Sequence, residues 1–535
     1  MINRAGILVV LFLFTAASAA LAWFVSPWWS ILVAIVVFLD LVCAYDLVQT
    51  NHSLLRNYPV LGRARYILEA IRPEMQQYFV ERNFDGRPFD RDTRTVVYER
   101  AKGLGAKKSF GTEREITDPG YEYLVHSMAP KEMKTSDPRV RLGGPECTQP
   151  YDASILNISA MSFGSLSPNA VEAMNKGAAY GKFAQDTGEG SISPHHLKYG
   201  ADLFWQIGTG YFGCRTADGG FDEEKFRDKA ATPEVKATYL KVSQGAKPGL
   251  GGMLPGEKVD EVIAEVRGVK VGVGVNSPAH HRVYSTPREL IQFMAKMREL
   301  SAGKPVGFKL CVGSRVEFLA VVKAMLELDI CPDFIIVDGA EGGTGAAPLE
   351  YSDRMGMPLT DGLMIVHNAL VGAGLRDRVK IGASGKIVTG VDIVRRMAIG
   401  ADFCSSARAM MMATGCIQAQ KCHTNECPVG VATQDKSLWK GLHVESRGDR
   451  VRNYHNATVR QAAQLIASMG LEEFDELDPS KVMRRTDVTR AESYAELHNW
   501  LQEGELLEGT RFIGWADDWD RASADTFSPS RPANA

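Results

Sequence analysis

The chain has 535 residues, a formal net charge of −3 at pH 7, 45% hydrophobic and 23% charged residues. That length asks for one large domain with appendages, or two to three domains, and the near-neutral balance with no basic block excludes nucleic-acid binding built on charge. Nine scattered cysteines exclude a disulfide framework, whereas 51 glycines, many clustered after apolar runs, suit an α/β protein whose loops hold a phosphate-bearing cofactor.

Gly6 to Val25 is almost wholly apolar, and a second such run extends from Ile31 to Leu47. Each approaches the roughly 20 residues needed to cross a bilayer core. The join, Ser26-Pro27-Trp28-Trp29, suits a turn at headgroup level, and Arg4, Arg56, Arg63 and Arg65 put positive charge on both outer flanks. The expectation is a transmembrane hairpin over 1–50, multi-pass in the inner (cytoplasmic) membrane, with the catalytic domain facing the cytoplasm. A signal peptide cleaved near Ala17-Ser18-Ala19 is the alternative. Asp40, inside the second span, reads either as a functional acid or as a tolerated polar residue.

Residues 51–150 are mixed and polar, with a helical stretch around Arg63–Ile71, and read as an extension packing on the next domain. From about 153 short apolar runs ending in glycine alternate with longer amphipathic segments such as Pro287–Leu300 and Arg315–Leu328, the pattern of βα units. Eight strands are predicted: Ile155–Met161, Lys182–Asp186, Phe204–Gly208, Val269–Val275, Pro305–Leu310, Asp333–Val337, Val379–Ile381 and Phe403–Ser405. Eight repeats predict a (β/α)8 TIM barrel of the α/β class over 151–475, with chemistry at the carboxyl ends of its strands. Residues 476–535 read as a carboxyl-terminal extension, the last nine as a frayed tail.

The strongest local signal is Gly415–Pro428, where Cys416, Cys422 and Cys427 stand at spacing C-x5-C-x4-C. Soft thiolates select iron–sulfur clusters, zinc or copper(I). Zinc would want a fourth ligand, for which His423 is available; three buried free thiols are the remaining alternative. The tight spacing favours a three-cysteine iron–sulfur cluster. That segment, continuing to Gln434, resembles the 3Fe-4S loop (415–434 here) of the glutamate synthase large subunit. Four further stretches agree in order: Met161–Ser167, Gln244–Gly249, Asp338–Ala346 and Gly382–Lys386.

The resemblance implies an FMN-binding synthase domain with bound FMN and a 3Fe-4S cluster on Cys416, Cys422 and Cys427. It places Ala160, Met161 and Ser162 beside the flavin, with Asp338, Gly339, Gly342, Gly343, Thr344 and Gly345 at the sixth strand's end. Ser384, Gly385, Ser406, Ala407 and Arg408 would form the phosphate site after the seventh and eighth strands, where backbone N–H groups face an anion. Lys309 reads as a cation tuning the flavin or as a salt-bridged core lysine. Ser162, Glu189, Gln244, Lys247 and Arg267 fall where the family binds its dicarboxylate, with Glu189 and Lys247 in catalytic positions. His280 and His281 read equally as acid–base or structural groups.

The match breaks in two places. Leu250 and Met253 stand where the family has a glutamate and a glutamine, which would add an apolar wall and change the preferred substrate. The chain begins with the hairpin rather than the family's glutaminase domain, so ammonia is expected from solution or a partner. No G-x-G-x-x-G follows a strand, so an electron-transfer partner protein is expected to feed the cluster. The functional expectation is an oxidoreductase acting on the C–N bond of a small amino acid or 2-oxo acid. The alternatives are dehydrogenation of another small carboxylate linked to a membrane acceptor, and a non-catalytic electron-transfer module.

Overall fold

The computed structural model describes residues 4–105 and 107–529, in two compact units, Met1–Asp92 and Thr93–Ala535. In the first unit, helices α1 (Arg4–Phe24) and α2 (Ser30–Val48) are joined by a 3-10 turn over Pro27–Trp29. Pro27 opens that turn, where its missing N–H costs nothing. Asp40 is satisfied within the pair: Thr15 Oγ1 donates to its carboxylate at 2.6 Å. Asp46, fully buried near the end of α2, accepts Arg63 at 2.6 Å and the Val60 N–H at 3.0 Å. These bonds fix the start of the helix Arg63–Met75, one turn longer than its sequence pattern predicts. The stretch Pro27–Val48 is long and apolar enough to cross a bilayer, while the apolar part of α1, Val9–Phe24, is shorter.

The second unit is built on a closed barrel of eight parallel strands, each paired with its neighbours in chain order. They are β1 (Leu156–Ile158), β2 (Gln185–Asp186), β3 (Leu203–Ile207), β4 (Val235–Lys241), β5 (Val306–Leu310), β6 (Phe334–Asp338), β7 (Lys380–Ser384) and β8 (Phe403–Ser406). Phe204, Tyr239, Phe334 and Phe403 fill the interior near the strands' amino ends, together with Leu142 and Ala153. Those last two come from the antiparallel hairpin Arg139–Leu142/Tyr151–Ser154. The helices Pro287–Leu300 and Arg315–Leu328 have the predicted limits. Thr286 and Glu289 form a capping box at the first, and Ser314 caps the second through the Glu317 N–H.

One predicted strand is overturned. Val269–Val275 is not in the barrel; the fourth strand is Val235–Lys241. The run Val-Lys-Val-Gly-Val-Gly-Val alternates with period two, but only Val275 and Asn276 pair, antiparallel, with Leu254 and Met253 in a small ribbon. The true β4, Val-Lys-Ala-Thr-Tyr-Leu-Lys, is buried apart from Lys236, and its terminal lysine hides this in the sequence. Outside the barrel, Glu122–Leu124 pairs with Val482–Arg485, which pairs with Ala491–Ser493. Of the predicted frayed tail, 530–535 lie outside the described residues.

Candidate functional site

The carboxyl ends of β2, β4 and their loops gather charged groups in a small volume. Glu189, three residues past β2, accepts Lys241 Nζ at 3.1 Å. Burial alone would raise its carboxyl; Lys241, helped by Arg267 and Lys247, instead holds it below the usual carboxylate range. The site is cramped around this carboxylate. A Cβ on Gly252 would lie 2.2 Å from Glu189 Oε1, and one on Gly208 2.8 Å from Oε2.

Lys247 and Arg267 are each 4% exposed. Among the described residues, no group accepts a hydrogen bond from Lys247 Nζ, whose pKa burial lowers against the pull of Glu189. Arg267 donates from Nη2 to the Phe163 carbonyl at 2.9 Å and lies over the Phe212 ring at 5.1 Å, while its Nε is buried without a partner. Burial brings its pKa down to about 10. Buried cations with unspent donors are costly unless an anion completes them, and this corner holds more buried positive charge than Glu189 alone balances. Gln244, half-buried, adds a side chain with no protein partner among the described residues.

A second group lines the barrel beneath. Lys309 on β5 is 3.5 Å from Asp338 at the end of β6, and Asp338 also accepts the Gly245 N–H at 2.8 Å. A Cβ on Gly245 would sit 1.7 Å from the Gly339 carbonyl oxygen, so these two loops touch through bare backbone. Asp186 on β2 accepts the Tyr239 hydroxyl; burial raises it to about 6, against the hydrogen bond and Lys309. Ser162 packs its backbone N–H against Gly188, whose Cβ would lie 2.5 Å away. Ala160, Met161 and Ser162 are half-buried around the mouth.

At the ends of β7 and β8, Ser384 and Ser406 are buried, and Gly385 takes φ +141°, open to few residues other than glycine. Ser159 Oγ and Ser384 Oγ are 3.2 Å apart, and Ser406 Oγ donates to the Ile387 carbonyl at 2.6 Å. Arg408, next to Ala407, opens the helix Arg408–Thr414 and donates to the Glu341 carbonyl at 2.5 Å; burial lowers it to about 10. Gly343 lies against it, its added Cβ 2.8 Å from the Arg408 side chain. Gly342 is half-buried, whereas Gly343, Thr344 and Gly345 are exposed at the rim.

The cysteine segment is bound to the loop after β1. Ser167 donates to the Gly430 carbonyl at 2.6 Å, and Gln434 Nε2 to the carbonyls of Gly164 and Leu166 at 3.1 and 2.8 Å. Within the segment, Gln418, Gln420 and Asn425 hold left-handed φ of 60°, 56° and 62°. Such strain in non-glycine residues persists only where the surroundings impose it. Cys427 is buried, Cys416 and Cys422 partly so; burial, then each other's charge, raises the Cys416 thiol to about 12. Among the described residues no set of three ligands stands in metal-holding geometry.

Several residues escaped the sequence reading. Lys241 is hidden because the strand ending in it was missed; Asp186 and Tyr239 look like ordinary strand positions. His281, divided between two readings in sequence, is structural here. Its Nε2–H donates to the Lys241 carbonyl at 2.8 Å, Nδ1 accepts from Tyr211 at 3.1 Å, and burial lowers it to about 4, leaving a neutral ring. Met253 forms no buried wall: ribbon alternation turns it outward at 55% exposure while Leu254 is buried.

The model of the conserved region in glutamate synthase matches residues 145–472. The glutamate synthase large subunit-like protein YerD of Bacillus subtilis (strain 168) is 38% identical over 464 residues, 79% of this chain and 88% of that protein. The archaeal-type glutamate synthase (NADPH) of Thermotoga neapolitana is 34% identical over 322 residues, 60% of each chain. The large chain of glutamate synthase (NADPH) from Bacillus subtilis (strain 168) is 33% identical over 346 residues, 63% of this chain but 21% of that one.

Proposed function

Since this chain belongs to the glutamate synthase family of oxidoreductases, we propose that it acts on the C–N bond of a small amino acid or its 2-oxo acid, with FMN and a 3Fe-4S cluster as resident groups. The observation that carries the reading is the buried trio Lys241, Lys247 and Arg267 around one carboxylate, Glu189. One carboxylate leaves that trio with excess positive charge, which a substrate dicarboxylate would balance.

Two features support the fit of the cofactors. Buried Ser384 and Ser406, half-buried Arg408 and the bare, left-handed backbone of Gly385 supply polar groups and a cation suited to the phosphate of a flavin mononucleotide. Cys416, Cys422 and Cys427 share one segment with left-handed backbone at Gln418, Gln420 and Asn425, and three cysteine sulfurs are a donor set suited to an iron–sulfur cluster. Lys309, Asp338 and Ala160–Ser162 would hold the flavin ring, Ser384–Gly385 and Ser406–Arg408 its phosphate, and Cys416, Cys422 and Cys427 the cluster. When bound, the flavin supplies hydride transfer and the cluster one-electron relay.

The chain's own residues do the rest. Lys247 and Arg267 clamp the substrate carboxylates, Arg267 already fixed by Phe163 and Phe212. Lys241 keeps Glu189 ionised, and Glu189 takes and returns the proton at the substrate nitrogen. His281 holds the Lys241 backbone without titrating near neutrality. Half-buried Leu250, in place of the family's acid, supports dehydrogenation of a related small carboxylate as the second reading. The apolar stretch Pro27–Val48, with α1, supports a membrane hairpin bringing the enzyme to a membrane-bound electron-transfer partner.

The test is anaerobic purification in detergent, with absorbance and EPR spectra before and after adding glutamate. A flavin band that bleaches, beside an iron–sulfur signal, supports the reading. Flavin and cluster inert to glutamate but bleached by another amino or hydroxy acid move it to the second; absence of both removes it.

A further inference from the structure

The reduction centre just proposed has an unassigned neighbour. Lys258 is 3% exposed, yet no carboxylate stands within ion-pair distance of it among the described residues. Its Nζ donates instead to two carbonyls, Cys422 at 2.7 Å and Ala432 at 3.3 Å, both on the cysteine segment. Burying an ammonium costs several kcal/mol unless an anion compensates it, and two carbonyl dipoles are a partial substitute. The sulfurs of Cys422 and Cys427 are near enough to couple with it, and would be thiolates when ligating a cluster.

The chain bearing Lys258 comes from elsewhere. It follows the ribbon strand Met253–Leu254, whose preceding residue Gly252 abuts Glu189. Val259 accepts from the Gly272 N–H at 2.9 Å, closing the ribbon's other side. Lys258 therefore ties the backbone over the Glu189 carboxylate to the backbone of the cysteine segment.

We propose that Lys258 is the counter-cation of the thiolate-ligated centre, a positioning residue that sets its reduction potential. The inference rests on the cluster assigned above. Reduction adds one negative charge to a centre already carrying three thiolates, and a fixed cation at this distance stabilises the reduced form. Removing the charge lowers the midpoint potential and leaves the flavin phosphate site untouched.

The experiment compares full-length wild type, Lys258→Met and Lys258→Arg, purified anaerobically in detergent. Iron content, flavin absorbance and an EPR-monitored redox titration are measured on each. Lys258→Met is expected to keep its flavin and titrate lower by at least tenfold in the reduction equilibrium, about 59 mV for one electron, with Lys258→Arg near wild type. Loss of iron in Lys258→Met that Lys258→Arg restores also supports the assignment. A wild-type potential in iron-loaded Lys258→Met overturns it, as does loss of iron in both variants, which marks a packing role. Wild type without iron fails earlier and differently: it removes the cluster reading itself.

Discussion

Glu189, Lys247 and Arg267 show what a residue reading reaches and where it stops. All three were legible because their segments recur in a recognisable order. Lys241 was not: a lysine ending a strand looks solvated in sequence, and only the barrel reveals that it is buried against Glu189. Replacing Lys247 by Met removes a charged donor that, among the described residues, has no protein acceptor and only assists Lys241 in keeping Glu189 ionised. Hydrogen bonds to charged groups contribute about 1.5–3 kcal/mol, so KM for the carboxylate substrate should rise about 10- to 100-fold with flavin content unchanged; an unchanged KM would exclude the clamp. Asp186 offers a pH test. Its folded pKa, about 6, lies above the ordinary 3.8, so its protonated form favours the fold and that contribution is lost as pH rises. At 1.36 kcal/mol per pH unit the interval corresponds to about 3 kcal/mol. The stability of wild type relative to Asp186→Asn should therefore fall by about that much between pH 4 and pH 7 in chemical denaturation; a pH-independent difference would show that Asp186 stays ionised.

At the scale of elements, seven of the eight barrel strands were readable because an apolar run ending in glycine or a small polar residue marks a buried parallel strand. The fourth was lost to a decoy. Val269–Val275 alternates perfectly but its glycines leave too little side chain to bury, while β4 carries polar residues that only the barrel's neighbours satisfy, Tyr239 on Asp186 among them. The glycine loops were legible as cofactor-facing, but their tightness was not. An alanine at 245 would put Cβ 1.7 Å from the Gly339 carbonyl oxygen, a backbone atom that cannot swing aside. Overpacking of this kind costs about 1–3 kcal/mol or more. Gly245→Ala should lower Tm and cut the flavin-to-protein absorbance ratio; full flavin loading at wild-type Tm would show that the two loops separate easily.

For the whole molecule, the unit Met1–Asp92 is distinct from the catalytic one, and its apolar helices predict its behaviour. Full-length protein should stay with membranes through an alkaline carbonate wash, while a chain starting at Thr93 should move to the supernatant with its flavin absorbance intact; release of the full-length protein would refute the hairpin. The clasp of Glu122–Leu124 with Val482–Arg485 has a consequence for how this protein is made. The first strand leaves the ribosome roughly 360 residues before its partner, a delay of about 20–70 s at ordinary bacterial and eukaryotic elongation rates. Throughout that interval the nascent chain carries an unsatisfied strand edge, an invitation to pair with a neighbour on the same message. Crowded polysomes should thus be the stage at which this enzyme is most easily lost, and chaperones that shield nascent edges the factor that governs its yield.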